Sequence, residues 1–322
     1  MSNNTNEKIL LVGAGGMARE YAKVLQALNR DFVVVGRGEE SAQKFYEATG
    51  ISVFTGGIEK YLTEHESDLP DTAIVAVRAV QLADVTENIL DAGIKRLLVE
   101  KPGAYTEERI LRIKNKADRY NAEVAIAFNR RYFSSVLEAR KMIEEDGGVT
   151  SFYFEFTEWP ASILRVPVEA ERQGILVGNS SHVIDMAFYL GGKPKEMSSY
   201  KIGSLEWHNL AASFAGAGIT ENGATFAYQA NYDAPGRWGV EVMTRKHRYI
   251  FRPLEKLQIQ NMNSVKIEFA EIDDHLDVEY KPGVYRETED FLTKDMKDTQ
   301  LCSLNEQCWD FKNIYNKIAG IK

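Results

Sequence analysis

The sequence predicts an N-terminal α/β domain with a doubly wound parallel sheet, followed by a C-terminal α+β domain with a large, mostly antiparallel open sheet. Up to residue 126, short apolar runs alternate with amphipathic helical patterns. From residue 127 onward, an alternation with a period of two replaces that rhythm. The length of 322 residues suits two domains, at about 150 residues for each. We therefore divide the chain into residues 1–126 and residues 127–322.

The first domain consists of apolar strands separated by helices. The predicted strands lie at residues 9–12, 32–35, 53–54, 73–77, 97–99 and 124–128. Behind the first strand, the apolar residues from Met17 to Leu28 repeat at the spacing of one helix face. Thr106 is a predicted N-cap, because Glu107 and Glu108 follow it in the first turn of a helix. The alternation of apolar strands with helices predicts a parallel sheet that is covered on both faces.

The second domain shows strand-like alternation interrupted by helices. Phe152, Phe154 and Phe156 alternate with more polar residues, which predicts a strand with two different faces. Further strands are predicted at residues 224–232, 238–244 and 247–251. A long helical pattern covers residues 174–190, and two more cover residues 288–298 and 305–318.

The composition excludes several classes of protein. The formal net charge is −8. A composition with 44% hydrophobic and 27% charged residues excludes a disordered or fibrous chain. The acidic balance and the lack of a basic tract argue against nucleic-acid binding. The purest apolar stretch, at residues 73–77, is too short to cross a membrane. Residues 1–8 are polar and lack the apolar core of a secretory signal. We expect a soluble cytoplasmic protein.

The two cysteines do not suggest a metal site or a disulfide. Cys302 and Cys308 lie six residues apart in a predicted helix, which is not a metal-binding spacing. Free thiols are the usual state in a reducing compartment. We therefore expect no bound metal.

A glycine-rich turn after the first strand is the clearest motif. Gly13-Ala14-Gly15-Gly16-Met17-Ala18 matches the pattern G-x-G-x-x-G/A. Gly13 allows the tight turn, Gly15 lets the backbone approach a pyrophosphate, and Ala18 allows close packing of helix and strand. The helix that follows directs its free N–H groups at the phosphates. Because the motif lies in the first βα turn, it predicts a dinucleotide-binding Rossmann domain.

The end of the second strand indicates which dinucleotide is bound. An acidic residue there would hold the ribose hydroxyls of NAD, but the chain has Gly36-Arg37-Gly38. A guanidinium suits a 2′-phosphate, so Arg37 favours NADP. The alternative is NAD, with Arg37 in solvent and Glu39 holding the ribose.

Lys101 and His182 are the predicted catalytic residues. Lys101 follows the fifth strand, and ligands of such sheets lie beyond the carboxyl ends of the strands. The pKa of an ordinary lysine is about 10.4, and burial near a positive ring would lower it toward neutrality. His182 lies in the helical segment at residues 174–190, and histidine titrates near neutral pH. The alternatives are a solvated lysine and a structural, hydrogen-bonded histidine.

The chain resembles the Gfo/Idh/MocA oxidoreductases over nearly its whole length. The resemblance rests on four motifs: the glycine turn, Glu100-Lys101-Pro102, residues 127–131 (Ala-Phe-Asn-Arg-Arg) and residues 174–185. It implies hydride exchange between NAD(P) and a sugar, cyclitol or related hydroxyl compound. It also implies that Lys101 and His182 flank the reacting carbon, that the bond before Pro102 is cis, and that the C-terminal sheet builds homodimers or homotetramers.

One position departs from the family pattern. Members of the family often have an aspartate four residues before the histidine, where this chain has Gly178 followed by Asn179. Asn179 or Ser181 could hold a substrate hydroxyl there, but neither is a base. The division of labour between Lys101 and His182 therefore stays open.

The predicted site comprises residues from both domains. The cofactor residues are Gly13, Ala14, Gly15, Gly16, Met17, Arg37, Val77, Arg78, Glu100, Lys101 and Asn129. The substrate residues are Lys101, Trp159, Arg165, Asn179 and His182. Arg172 lies in the same irregular stretch as Trp159, whereas Arg237 and Trp238 are explained equally well by packing at a sheet edge.

We predict an NAD(P)-dependent oxidoreductase that acts on a CH–OH group of a sugar-like compound. The competing hypothesis is a sensor or regulatory protein that kept the fold and the cofactor but lost catalysis. Gly178 supports the sensor, whereas the presence of both Lys101 and His182 supports the enzyme.

Overall fold

The computed structural model describes residues 8–321 and divides the chain into two compact units. The first unit contains residues 8–129 together with Leu276–Cys308. The second contains Arg130–His275 and the residues from Trp309 onward. The predicted boundary after residue 126 lies close to the first division, but the sequence did not indicate that a later segment returns to the first unit.

The first unit has the predicted parallel sheet. Its strands are β1 (Ile9–Val12), β2 (Phe32–Val35), β3 (Val53–Phe54), β4 (Thr72–Val75), β5 (Arg96–Glu100) and β6 (Glu123–Ala127). Its helices are α1 (Gly16–Ala27), α2 (Glu39–Thr49), α3 (Ile58–Glu64), α4 (Leu82–Asp91) and α5 (Glu107–Tyr120). Thr106 is the N-cap of α5, as predicted, and its hydroxyl accepts a hydrogen bond from the backbone N–H of Arg109 at 3.3 Å.

The strand order places a crevice at the centre of this sheet. The strands lie in the order β3-β2-β1-β4-β5-β6, and all of these neighbours are parallel. The chain runs from β1 outward to β3 and then returns to β4 on the other side of β1. Ligands bind at such a switch point, beyond the carboxyl ends of the strands.

The second unit is built on a mostly antiparallel sheet, which confirms the predicted fold class. Its helices are α6 (Ser134–Glu145), α7 (Pro160–Ile163), α8 (Glu169–Gln173) and α9 (Ser181–Gly191). Its strands are β7 (Ser151–Glu155), β8 (Pro194–Ile202), β9 (Ser213–Thr220), β10 (Thr225–Asn231), β11 (Gly239–Met243), β12 (His247–Phe251), β13 (Gln258–Asn261) and β14 (Ile267–Phe269). They lie in the order β14-β13-β12-β11-β7-β10-β9-β8, and only the β7–β10 pair among them is parallel.

The segments near the end of the chain differ from prediction. The structure has α10 (His275–Glu279), α11 (Val284–Thr293), β15 (Cys302–Ser303), α12 (Leu304–Asp310) and α13 (Asn316–Ala319). Cys302 was expected in a helix but lies in β15, because this strand pairs antiparallel with the edge strand β6. Cys308 lies in α12, as expected, and no disulfide joins the two thiols. The pattern at residues 174–190 is also not one helix, since a π-helical turn at Leu176–Ser180 precedes α9.

Aromatic stacking forms the core of the second unit. The rings of Phe152 and Phe154 stack on Phe226 and Tyr228 of β10, with centroids 5.2 and 5.3 Å apart. A Cβ atom added to Gly216 of β9 would lie 2.3 Å from the Tyr228 ring, so only glycine allows this ring to lie flat on β9. The predicted alternation of buried phenylalanines is therefore confirmed.

A buried carboxylate joins α6 to the β11–β12 hairpin. Asp146 accepts hydrogen bonds of 2.7 Å from Thr244 Oγ1, from Tyr249 Oη and from His247 Nδ1. Burial opposes ionisation of Asp146, but the hydrogen bonds from His247, Tyr249 and Thr244 outweigh it and lower its pKa to about 2.

Among the helices of residues 8–321, none combines the length and the apolar character that are needed to cross a lipid bilayer.

We expect Asp146→Asn to lower the free energy of unfolding by about 1 to 3 kcal/mol at pH 7, because three hydrogen bonds lose their charged acceptor. An unfolded aspartate has a pKa of about 3.9, so the ionised carboxylate stabilises the fold above that pH. This contribution disappears as the pH falls through the folded-state pKa of about 2. Urea unfolding between pH 7 and pH 2 should show the two proteins converging. Asp233→Asn, at an exposed aspartate, is the control, and an equal deficit at every pH would contradict the assignment.

Candidate active site

A cleft of about 490 Å³ lies at the switch point of the first unit. Its walls come from the residues that follow β1, β2 and β4 and from the start of α3. The predicted cofactor residues that line it are Gly13, Ala14, Gly15, Arg37, Val77 and Arg78. The sequence motif and this cleft therefore coincide.

Two glycines of the turn have different roles. Gly13 has a φ of +130°, and a Cβ there would lie 2.3 Å from the carbonyl oxygen of Ala76, so the turn and the end of β4 require glycine. Gly15 has an ordinary φ of −93°, and a Cβ there would meet no atom within 4 Å. Neither the backbone nor the packing requires glycine at position 15, so its effect is to keep the cleft floor open.

The start of α1 completes an anion-binding arrangement. Gly15 is the N-cap of this helix, and no side chain caps it. The helix therefore presents backbone N–H groups and the positive end of its dipole at the open floor. These features fit the pyrophosphate of a dinucleotide.

Arg37 lies at the end of β2, where the cleft meets α2. Its exposed guanidinium forms no hydrogen bond or ion pair with any residue in the described part of the chain. The nearby carboxylates are engaged: Glu39 accepts a hydrogen bond from Thr55 Oγ1 at 2.6 Å, and Glu40 pairs with Lys44 at 2.6 Å. Arg37 is thus the charged group that stays available at this end of the cleft.

Five of the predicted cofactor residues do not line the cleft: Gly16, Met17, Glu100, Asn129 and Lys101, the last of which is described below. Gly16 and Met17 form the first turn of α1. Glu100 is buried and accepts a hydrogen bond from Tyr21 Oη at 2.9 Å, and Asn129 donates to the carbonyl oxygen of Pro282 at 2.8 Å. Their assignment to the cofactor remains a prediction.

Lys101 follows β5 directly and is half-buried. The Lys101–Pro102 peptide bond is cis, as the resemblance implied. The carbonyl oxygen of Pro102 accepts a hydrogen bond from Gln307 Nε2 at 2.9 Å, and a Cβ on Gly103 would lie 2.7 Å from Ile126 Cδ1. The backbone after Lys101 is therefore held from both α12 and β6.

A buried tyrosine supports the residue before Lys101. Tyr21 of α1 donates to Glu100 and lies 3.4 Å from Glu287 Oε2 of α11, and Glu287 is fully buried. Burial raises the pKa of Tyr21 well above its usual value, and the two carboxylates raise it further. Sequence reasoning missed Glu287, because no local pattern shows that α11 returns to the first unit.

His182 lies in the first turn of α9 and is 7% exposed. The π-helical turn at Leu176–Ser180 comes just before it, and such turns are frequent at functional sites. Asp185, one turn further along, forms a buried ion pair with Arg131 at 2.5 Å, which anchors the helix. The centroids of the His182 and Trp238 rings are 6.1 Å apart.

A buried carboxyl group organises the π-helical turn. Asn179 Nδ2 donates to both oxygens of Glu158, at 3.0 and 3.1 Å, and Ser180 Oγ donates to Oε1 at 2.8 Å. Burial raises the pKa of Glu158, although Ser180, Arg237 and Asn179 oppose the rise. Sequence reasoning missed Glu158. The signal was an acidic residue at the end of the alternation that begins at Phe152.

The remaining predicted substrate residues are on the surface of the second unit. Trp159 is 52% exposed, and its Nε1 donates to the carbonyl oxygen of Gly236 at 2.9 Å. The Arg237 guanidinium lies over the rings of both Trp159 and Trp238, 4.5 and 4.3 Å from their centroids. Arg165 is exposed. The structure thus groups Trp159, Asn179 and His182 around Glu158 and Trp238, and it adds Arg237 to this group.

Comparison with known proteins agrees with this fold. Residues 7–128 match the model of an oxidoreductase family with an NAD-binding Rossmann fold. The curated glucose-6-phosphate 3-dehydrogenase of Bacillus subtilis (strain 168) is 28% identical over 196 residues, which cover 57% of this chain. The match spans only about half of that relative, at 53% of its length.

Solved structures share the fold over nearly the whole chain. A levoglucosan dehydrogenase in complex with NADH and L-sorbose superposes with a TM-score of 0.78 at 20% identity, covering 98% of this chain and 96% of that one. A UDP-N-acetylglucosamine 3-dehydrogenase from Acidithiobacillus ferrooxidans has a TM-score of 0.74 at 15% identity, covering 98% and 99%. An oxidoreductase from Agrobacterium radiobacter in complex with NAD+, L-tartaric acid and magnesium has a TM-score of 0.79 at 13% identity, covering 99% and 98%.

Proposed function

We propose that the chain is a Gfo/Idh/MocA-type oxidoreductase that transfers a hydride between NAD(P) and a sugar, cyclitol or sugar-derived alcohol or ketone; the match of residues 7–128 to the model of that family supports the proposal. The observation that carries this proposal is the cleft, whose floor is open at Gly15 in front of the uncapped start of α1. By their names, the relatives given above include dehydrogenases of sugars and sugar derivatives, which supports a substrate of that class.

Proton transfer is the part of the reaction that falls to the protein. Bound NAD(P) supplies the hydride donor or acceptor at its nicotinamide ring. When a carbon that bears a hydroxyl group loses a hydride, the hydroxyl must also lose its proton, which a neutral amine or a neutral imidazole can accept. We assign the exchange of this proton to Lys101, with His182 as the assisting group. The anchored backbone around Pro102 supports the first assignment, and the anchored helix α9 supports the second.

Removal of these two groups should separate catalysis from cofactor binding. We expect Lys101→Ala to lower kcat/KM about 10²- to 10⁴-fold and to change the Kd of the dinucleotide far less, because Lys101 does not line the cleft. His182→Ala should cause a smaller loss, and the double variant should lose less than the product of both if they serve one step. Steady-state kinetics on hexoses, hexose phosphates and cyclitols would measure this.

Lys141→Ala, at an exposed lysine that pairs with Glu138, is the control for these variants. A wild-type protein that binds the dinucleotide but turns over no compound of the panel would support the sensor instead of the enzyme. Full activity of Lys101→Ala would refute the assignment of the proton.

We further propose that NADP is preferred to NAD. The guanidinium of Arg37 lines the cleft, whereas Glu39 and Glu40 are held by Thr55 and Lys44. A guanidinium binds a 2′-phosphate through charge-assisted hydrogen bonds, and a carboxylate at this position would repel it.

The affinity for the two dinucleotides should therefore respond differently to one substitution. We expect Arg37→Ala to weaken NADPH binding about 10- to 100-fold, which corresponds to a charge-assisted contact of about 1.5 to 3 kcal/mol. NADH binding should change little. Isothermal titration of both cofactors measures the difference, with Arg119→Ala on the exposed side of α5 as the control. Equal losses for both cofactors would contradict the role of Arg37.

We also propose that the chain forms homodimers or homotetramers through the outer face of the sheet in the second unit. The strand register places Tyr200 opposite Ala215 on this face, and Ala217 opposite Ala227. Tyr200 and Ile202 are 69% and 76% exposed. A broad face of small and exposed apolar side chains suits contact with a second, identical face.

A charge in the middle of this face should separate the subunits. We expect Ala217→Arg to convert the oligomer into monomers, because a guanidinium would be buried without a partner. Light scattering coupled to size-exclusion chromatography gives the molar mass. Val278→Arg, at a 77% exposed valine in the first unit, should leave the mass unchanged. A wild-type protein that is monomeric at tens of micromolar would refute this proposal.

A further inference from the structure

The second unit carries a row of alternating indole rings and guanidinium groups. Arg237 lies between Trp159 and Trp238, and Arg130 also lies over the Trp238 ring, at 5.1 Å. The side chain of Arg237 is 40% exposed, and Trp159 is 52% exposed, so this end of the row reaches the surface. A guanidinium between two aromatic faces is held flat and keeps its N–H edges free for in-plane contacts.

Arg237 forms a loose ion pair with the buried Glu158. Its single side-chain hydrogen bond within residues 8–321 goes to Glu158 Oε2 at 3.4 Å, which is long for a charge-assisted contact. Glu158 is already satisfied at shorter distances by Asn179 and Ser180. Burial raises the pKa of Glu158, and the charge of Arg237 is one of the effects that oppose this rise. Of the five N–H donors of this guanidinium, the structure uses one.

The row lies beside the predicted catalytic histidine of the same unit. The Trp238 ring, over which Arg237 lies, is also the ring whose centroid is 6.1 Å from that of His182. A ligand on the Arg237 edge would therefore be held close to α9. The exposed face of Trp159 offers a flat apolar surface, which suits the C–H face of a sugar ring.

We propose that Arg237 and Trp159 form a binding subsite for a negatively charged group on the sugar substrate, a phosphate or a carboxylate. Arg237 binds the anion through its N–H edge, and Trp159 packs against the adjoining sugar ring. This inference rests on the proposed function for the identity of the ligand as a sugar, and it deepens that function by naming the charge that the substrate carries.

Binding of three probe sugars tests the subsite without any catalysis. We would titrate glucose, glucose 6-phosphate and glucuronate into the full-length protein saturated with NADPH, a complex in which a hydroxyl compound cannot be oxidised. At least one of the two anionic sugars should bind tenfold or more tightly than glucose, and which of them does so identifies the group. Arg237→Ala should abolish this preference, whereas the affinity for glucose should stay within about twofold.

Three further variants define the contact. Arg237→Lys keeps the charge but loses the planar fork, so it should keep only part of the preference. Trp159→Ala should weaken the binding of all three sugars. Trp159→Phe should retain much of that affinity, because it keeps an aromatic face. Arg245→Ala removes an exposed arginine of the same unit and should change none of the affinities.

Several outcomes would overturn the subsite. It fails if the wild-type protein shows no preference for an anionic sugar, which includes the case in which neither anionic sugar binds. It also fails if Arg237→Ala weakens the binding of glucose as much as that of the anionic sugars and lowers the melting temperature, since Arg237 would then be structural. An Arg237-dependent preference without turnover in the presence of NADP+ would leave the subsite intact and would refute only the dehydrogenase activity.

Discussion

The close approach of the β1–α1 turn to the end of β4 is the constraint on which the cofactor cleft depends. A side chain at Gly13 would collide with the carbonyl oxygen of Ala76, so the turn can pass there only as glycine. That passage sets the direction of α1, which then points its uncapped N–H groups at the open floor beside Gly15. One backbone contact thus places the N-terminus of α1, the open floor at Gly15 and the end of β2 around the same crevice.

In the second unit, a buried carboxyl group has a comparable role. Glu158 collects donors from Asn179 and Ser180, and in doing so it holds the π-helical turn that leads into the helix of His182. The same residue comes just before Trp159, whose ring covers one side of Arg237. A buried carboxyl group and an aromatic stack therefore lie next to each other in the segment that follows β7.

The sequence predicted the parts of the structure that local patterns encode. The glycine turn, the strands of the first unit and the N-cap at Thr106 each follow from short-range chemistry, and the structure agrees with them. Strands β8 and β9 were missed, because β8 is mostly polar and β9 is rich in Gly and Ala, which gives no apolar alternation. The placement of Cys302 was wrong, since pairing with β6 across a long stretch of chain outweighs its local helical pattern.

The candidate site likewise combines residues that local patterns reveal with residues that they do not. Arg37 could be found from its position after a strand, but the engagement of Glu39 and Glu40 by their neighbours could not. Glu158 and Glu287 owe their burial to distant segments.

The edge pairing of β6 with β15 has a consequence for synthesis on the ribosome. Until residues 302 and 303 emerge, Ala125 and Ile126 lack the strand partner that they have in the folded chain, and an unpaired strand edge can pair with other chains.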